Sequence, residues 1–297
     1  MRIFVEAAGS LVAPAMMSMI RESGHICVSS DANEDSIGKH LADEFCKVPY
    51  ALDEKYTDAV KEIVTREKID LVIPTLDDAL LKWDSIRGQL QDEGVYLAIS
   101  NREALEVCQD KWNTYLVFSK NGIPTPKTSL KQEFGLVKPR RGRGGAGVRV
   151  TEELADMEGM ISQEVLHGQE YTVDVFCNLR HEPVYIVPRK RIGVKEGKST
   201  GGIVVEKPEI NKWVKEICRF IPFTGTINIQ CFETEEGIKF TEINPRFGGG
   251  TILGMKATEN WIPLTIQTFV EKKMVKAEHT VDYGLKMGRY YAEVFFK

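Results

Sequence analysis

Apolar and polar residues alternate most cleanly in the last third of the chain. In Gly225-Thr-Ile-Asn-Ile-Gln-Cys-Phe-Glu233, residues Ile227, Ile229 and Cys231 fall on one side and Asn228, Gln230 and Phe232 on the other, the period-two pattern of a half-buried strand. Thr234-Glu-Glu-Gly237 reads as a hairpin connection to a second strand, Phe240-Thr-Glu-Ile-Asn244. A three-residue loop at Glu235 to Gly237 would set Gln230 opposite Glu242 on one face. Near the N-terminus the apolar runs are continuous. Ile3-Phe-Val5, Ile26-Cys-Val28 and Leu71-Val-Ile73 have the look of buried parallel strands, the second ending in Asp31. A small-residue turn, Ala7-Ala-Gly-Ser10, leads from the first of them into a helix whose Met16, Met17 and Met19 are expected to serve packing. Val184 to Val187 is a further apolar strand ending in the cations Arg189, Lys190 and Arg191, and Lys195 to Gly202 reads as a mobile loop.

With 297 residues, the chain has volume for two domains with proper cores. Its 39 basic and 43 acidic residues give a net charge of −4, which argues against a nucleic-acid binder. No apolar run approaches the roughly 20 residues of a membrane span, and Met1-Arg-Ile-Phe-Val5 enters a strand without a signal-peptide core, so the expected setting is cytoplasmic. Six scattered cysteines without a C-x-x-C pair predict reduced, buried thiols. The strand order near the N-terminus suggests a Rossmann-like unit, yet the turn after the first strand supplies one glycine where a dinucleotide fingerprint needs three, so NAD binding is rejected.

The candidate chemistry lies in Phe240-Thr-Glu-Ile-Asn-Pro-Arg-Phe-Gly-Gly-Gly250. Glu242 and Asn244 are two apart and share a strand face, where oxygen donors suit a hard cation such as Mg²⁺. Gln230 would be the third donor, with Arg246 just beyond and three glycines that admit a close backbone approach. Upstream, the strand Leu136-Val-Lys138 runs into Gly142, Gly144, Gly145 and Gly147, a lysine and glycine-rich loop able to wrap phosphate oxygens with amide N–H groups. It is not a P-loop, because the lysine precedes the glycines. Arg189, Lys190 or Arg191 could bind a γ-phosphate or a substrate carboxylate, where fixed cations stabilise developing charge.

These segments, together with Glu164-Val-Leu-His-Gly-Gln-Glu170, resemble the ATP-grasp superfamily in type and in order. The resemblance implies a Rossmann-like front domain over about residues 1–100, followed by an ATP-grasp domain over 101–297. The latter would comprise a small lid subdomain at about 108–162 and a large metal-binding subdomain at about 163–297, an α/β chain turning α+β in its C-terminal part. Lys138 matches the strand lysine, Gly142 to Gly147 the lid loop with Gly144 and Gly145 at its centre, Glu164, Val165 and Leu166 the adenine-facing hinge, and Glu170 the ribose-binding carboxylate. Gln230, Glu242 and Asn244 match the metal positions and Arg246 the residue beside the transferred phosphate; Lys111, at the start of the preceding helix, is implied as a second phosphate-facing lysine.

Through Ile229-Gln-Cys-Phe232, Glu242 to Arg246 and Lys256-Ala-Thr258, the likeness is strongest to the large subunit of carbamoyl phosphate synthetases, of which this length holds one synthetase half and no amidotransferase part. The implied activity is a carboxylate-amine ligase that uses ATP and Mg²⁺, or Mn²⁺ in its place, and forms an acyl phosphate. Its partners would be small-molecule carboxylates and amines, with a homodimer in keeping with family habit and neither nucleic acid nor membrane involved. The alternatives are an ATP-grasp kinase that phosphorylates a hydroxyl, and a nucleotide-binding relative without turnover. The presence of Gln230, Glu242, Asn244 and Arg246 together weighs against the last. The loops Ala7 to Ser10 and Thr75 to Asp78 are expected to lean over the site.

Overall fold

The computed structural model describes residues 1–142, 144–195 and 198–296. β1 (Arg2–Val5), β2 (Ile26–Asp31), β3 (Glu44–Lys47), β4 (Leu71–Ile73) and β5 (Tyr96–Leu97) form a parallel sheet in the order β3-β2-β1-β4-β5. The order reverses beside β1, and the crevice at the carboxyl ends of such strands is where open α/β sheets take ligands. Helices α1 (Ala13–Glu22), α2 (Tyr56–Arg66), α3 (Leu80–Ser85) and α4 (Arg87–Asp92) cover the sheet. Phe4, Val28 and Val72 pack with Tyr56, Val60 and Ile63 of α2 and with Trp83. β3 and β5 were not expected: β3 sets Phe45 and Cys46 side by side between Glu44 and Lys47 in only four residues, and β5 has two, so neither leaves a periodic signal.

The opposite face of this sheet belongs to a core that runs into the rest of the molecule. Ile3, Val5 and Ile73 meet Met16, Met17 and Ile20 of α1, and the same cluster continues through Phe176, Tyr185, Leu253 and Trp261. Met16, Met17 and Met19 are all buried, in the packing role read from the sequence. Asn260 Nδ2 donates to Met19 O and Ser23 Oγ, both at 3.0 Å, and so pins the end of α1 to the C-terminal part.

Helices α5 (Arg102–Cys108) and α6 (Lys111–Lys120) lead into a four-stranded antiparallel sheet of β6 (Thr128–Ser129), β7 (Leu136–Pro139), β8 (Arg149–Val150) and β9 (Met160–Gln163), ordered β6-β9-β7-β8. The third sheet is antiparallel, ordered β14-β13-β10-β11-β12-β15, and uses β10 (Gln169–Cys177), β11 (Pro183–Lys195), β12 (Lys198–Val204), β13 (Gly225–Thr234), β14 (Gly237–Asn244) and β15 (Lys286–Gly288). Against one face lies α7 (Pro208–Phe220), with proline in its first turn where a missing N–H costs nothing. Its Ile210, Val214, Ile217 and Cys218 are buried on Val173, Val175, Ile227 and Ile229, each large apolar side chain worth about 1.5–3 kcal/mol. α8 (Thr251–Lys256) and α9 (Trp261–Phe269) cover the other side.

Two expectations change here. The strand beginning near Val184 does not stop at the cations but runs through Arg189, Lys190 and Arg191 to Lys195. The expected loop from Lys195 to Gly202 is for the most part β12, paired with β11 on one side and β15 on the other. The paired glycines Gly201 and Gly202 weaken the strand propensity of this segment, so two paired neighbours supply what local sequence does not. Glu196 and Gly197, at the centre of that expected loop, lie outside the described residues, as does Arg143 of the glycine-rich loop. All six cysteines are free and buried. No helix among the described residues is long and apolar enough to cross a membrane.

Candidate active site

Gln230 stands opposite Glu242, and Asn228 opposite Asn244. The pairing is the expected one, reached by another route: the hairpin turn has two residues, Thr234 pairing with Gly237, and a bulge between Gln230 and Cys231 on one strand accommodates Thr241 on the other. The bulge shifts the register by the residue that a longer loop would have supplied. Gln230, Glu242 and Asn244 thus share one face, the oxygen-donor set that a hard divalent cation takes.

Two lysines approach this face from different elements. Asp110 caps α6 by accepting from Trp112 N at 2.9 Å and pairs with Arg140 at 2.6 Å, which seats the first residue of the helix, Lys111, against the loop that follows β7. Lys111 Nζ donates to Gly142 O at 2.9 Å and lies 3.8 Å from Glu242 Oε2. Lys138, buried on β7, donates to Gln163 Oε1 at 2.8 Å, and Gln163 in turn donates to Thr128 Oγ1 at 2.8 Å. Burial pushes the Lys138 ammonium down to about 8; nearby Glu242 opposes that shift and Lys111 adds to it.

A cavity of about 310 Å³ opens between these lysines and the hinge. Leu136, Val148, Val165 and Leu166 give it apolar walls, and Gly144, Gly145, Glu164 and Glu170 also line it. The Glu164 side chain itself is tied to Lys239 Nζ at 2.7 Å. The hinge closes at Gly168 (φ +150°), where any Cβ would overlap the Glu233 carbonyl. Glu170 is ion-paired with Arg191.

A second cavity, about 480 Å³, shares Gly144, Arg191, Gln230 and Glu242 with the first and extends under the front sheet. Ala7, Gly9 and Ser10 and the turn Thr75 to Asp77 form part of its wall, where the two front loops were expected to lean. Four arginines among the described residues line it, and each is held differently. Arg246 makes a bidentate pair with Asp77, Nε to Oδ1 at 2.8 Å, and also donates to Phe247 O at 2.9 Å and Asn244 Oδ1 at 3.3 Å. Asp77 is itself set by its turn, because the N–H groups of Thr75 and Leu76 donate to the buried Glu6 carboxylate, which Tyr56 and Trp83 also serve. Burial raises the Glu6 pKa and these four donors counter it.

Arg189 is the centre of a buried network. Its guanidinium forks onto Asp174, which also accepts from Asn228 Nδ2 at 2.7 Å and Thr251 Oγ1 at 2.9 Å. A Cβ on Gly250 would come within 2.5 Å of Arg189 Nη1, and one on Gly254 within 2.8 Å of Asp174 Oδ2. Part of the glycine run after Arg246 therefore makes room for an ion pair of the protein itself. Arg289, from the segment after β15, donates to Leu11 O at 3.1 Å and to Gly249 O, while its buried Nε has no hydrogen-bond partner. Burial, with Arg189 nearby, lowers its pKa.

Lys190 is not brought to the site. On β11 it pairs with Tyr171, on the sheet face opposite Arg189 and Arg191, and its side chain is exposed. Strand alternation decides this: of three consecutive cations, only the first and third can face one cavity. Arg191 is the residue of that run whose side chain reaches both cavities. Sequence reasoning missed Asp174 and Arg289 altogether and placed Asp77 only as part of the Thr75 to Asp78 loop. Asp174 carried a signal, an acid inside an otherwise apolar strand; Arg289 carried none.

Residues 108–250 match the family described as ATP-grasp domain, and residues 11–98 the PylC-like, N-terminal domain. A carbamoyl-phosphate synthase of Methanobrevibacter smithii is 26% identical over 177 residues, covering 52% of this chain and 47% of that protein. A 3-methyl-D-ornithine–L-lysine ligase of Methanosarcina acetivorans is 22% identical over 232 residues, covering 74% of this chain and 60% of that one. The chain thus spans between about half and three fifths of these relatives. Among solved structures, a biotin carboxylase from Campylobacter jejuni in a β,γ-ATP complex superposes with a TM-score of 0.77 at 15% identity, over 96% of this chain and 74% of its own. With the parallel front sheet, the lid strands and the E-x-N-P-R strand in their order, the chain belongs to the ATP-grasp superfamily and joins a PylC-like N-terminal domain to an ATP-grasp domain.

Proposed function

We propose that this protein is an ATP-dependent carboxylate-amine ligase. One observation carries the reading: Gln230 and Glu242 line both cavities, so the place where a metal would be held is also where the two spaces meet. The first cavity, with an apolar hinge at one end and two lysines at the other, suits a nucleotide. The second, lined by arginines, suits a carboxylate. Gln230, Glu242 and Asn244 would hold Mg²⁺, which when bound supplies charge neutralisation to the phosphate oxygens.

The protein's own groups do the rest. Lys111 and Lys138 neutralise the triphosphate, and the backbone of the glycine-rich loop covers it. A carboxylate oxygen attacks the γ-phosphorus, the bond to the bridging oxygen breaks, and ADP leaves with that electron pair, giving an acyl phosphate. An amine then adds to the carbonyl carbon and expels phosphate, forming the amide. Arg246, oriented by Asp77, has one N–H left after its four hydrogen bonds and offers it to the transferred group. Arg289 adds the positive charge that attracts the carboxylate.

The test is ADP release from a panel of carboxylates with hydroxylamine in place of the amine. A hydroxamate is expected, since only an acyl phosphate yields one. A stable phosphate ester on a hydroxyl, with no hydroxamate under any condition, would replace this reading with a kinase.

A further inference from the structure

Glu6 follows β1 directly and is buried inside the front unit. A carboxylate placed there must be met by donors, and four converge on it. Tyr56 Oη and Trp83 Nε1 donate to Oε1, the indole at 2.8 Å, while the backbone N–H groups of Thr75 and Leu76 donate to Oε2 at 3.0 and 3.4 Å. The indole and the two amides can only donate, so acceptors are required on both sides of the carboxyl group. A fifth bond closes the arrangement: Thr75 Oγ1 donates to Glu6 O at 2.9 Å. The turn after β4 is thus tied to Glu6 at three points, two on the carboxylate and one on the main chain.

The residue after that turn is Asp77, itself buried, which opens the 3₁₀ turn Asp77–Ala79. With the N–H groups of the two residues before it fixed to one oxygen, the main chain has little freedom to redirect the Asp77 side chain. That side chain crosses to the C-terminal part and takes the Arg246 guanidinium in a bidentate pair, which fixes orientation as well as position. Without Asp77, Arg246 would keep only Phe247 O and Asn244 Oδ1. The second of these is an oxygen of the proposed metal set, so a released guanidinium would compete with the cation for it. The four donors to Glu6 are all uncharged, and a buried charge met by neutral donors alone is costly to keep. An apolar side chain of the same volume would pack the front core more stably. What it could not do is hold two backbone N–H groups, and with them the side chain that follows.

We propose that Glu6 is a positioning residue for phosphoryl transfer: through the turn at Thr75 and Leu76, and then Asp77, it aims the Arg246 guanidinium at the transferred group. The front unit is then part of the reaction machinery and not only a wall of the second cavity. Resting on the placement of the γ-phosphate beside Arg246 in the reading above, Glu6 acts in the same way whether the acceptor is a carboxylate or a hydroxyl.

The experiment measures the affinity of the whole protein for β,γ-imido-ATP relative to ADP, by calorimetry with Mg²⁺; this ratio reads the contact with the γ-phosphate without turnover. Glu6→Met fills the volume without an acceptor, and Thr75→Val removes only the bond to Glu6 O. Asp77→Asn weakens the next link, and Tyr56→Phe takes a donor from the carboxylate oxygen that does not touch the turn. The wild type is expected to prefer the triphosphate. The preference should fall about tenfold in Glu6→Met and Asp77→Asn and about threefold in Thr75→Val, in keeping with lost hydrogen bonds to a charged group. It should stay within twofold in Tyr56→Phe, although that variant unfolds at lower urea. On the Asp77→Asn background Thr75→Val should have no further effect, as for residues that act through one another. If Glu6→Met does not fold, the Thr75→Val cycle decides alone. A wild type without preference for the triphosphate, an unchanged ratio in Glu6→Met or Thr75→Val, an equal fall in Tyr56→Phe, or additive losses in the double variant would overturn the assignment. The expected ratios in a protein that forms no hydroxamate with any carboxylate would uphold Glu6 and remove the ligase reading. Hydroxamate formation with the ratio and kcat of Thr75→Val equal to those of the wild type would do the reverse.

Discussion

Lys138 provides the sharpest test of the nucleotide reading, because its environment makes binding depend on pH. Burial holds its ammonium at about 8 against an ordinary 10.5. A polyphosphate placed against it would favour the charged form and bring the value back up, which at 1.36 kcal/mol per pH unit is worth at most about 3 kcal/mol. The sign follows: below pH 8 the lysine is already charged and affinity is flat, whereas above pH 8 binding must take up a proton and weakens about tenfold per unit. Between pH 7 and 9.5 the expected loss in ADP affinity is roughly thirtyfold, about 2 kcal/mol. The assay is ADP titration by calorimetry with chelator present, in two buffers of different ionisation enthalpy so that proton uptake is read directly. Lys138→Gln should bind ADP weakly with a flat profile near the wild-type high-pH value. A flat wild-type profile over this range, or the same slope in the glutamine variant, would refute the placement of phosphate against Lys138.

Glu242→Ala should abolish metal-dependent ADP release with an unchanged melting temperature, since the side chain faces a cavity. Asp174→Asn should cost about 3–5 kcal/mol in denaturant unfolding, because it leaves the buried Arg189 guanidinium uncompensated; a loss below 1 kcal/mol would show that the pair contributes little. Lys190→Ala should leave turnover within about twofold of wild type, as expected for a surface change, while Arg191→Ala lowers it at least tenfold; the opposite ranking would reverse the facing of β11. Arg289→Gln should raise the KM for the carboxylate about tenfold with little change in kcat, as loss of uniform binding does, and an altered kcat at constant KM would count against a binding role.

What the sequence made legible were features written in consecutive residues. Glu242 and Asn244 share a face because two residues always do in a strand, and Gly168 is a glycine because Glu233 O leaves no room for more. The Gln230–Glu242 pairing was reached through a loop of the wrong length, and a bulge at Thr241 repaid the error. The facing of Arg189 to Arg191 was hidden because the apolar run before it, Val184 to Val187, shows no alternation to phase the cations. Asp77 and Arg246 are 169 residues apart in sequence, and nothing local to either announces the other. β12 was misread for a related reason: its strand character comes from pairing with β11 and β15, against the preference of its own two glycines.

Helix α1, packed between the front sheet and the residues around Trp261, has a consequence for how the chain is made. One of its two apolar surfaces has no partner until the segment around Trp261 is synthesised, Asn260 following Met19 by 241 residues. The front unit therefore carries exposed methionine surface throughout that interval, which is the period of its greatest exposure to misassociation. By the same geometry a chain cut after residue 100 would strip the cover from Tyr185, Leu253 and Trp261. The two halves are interlocked rather than strung together, and neither is an interchangeable cassette.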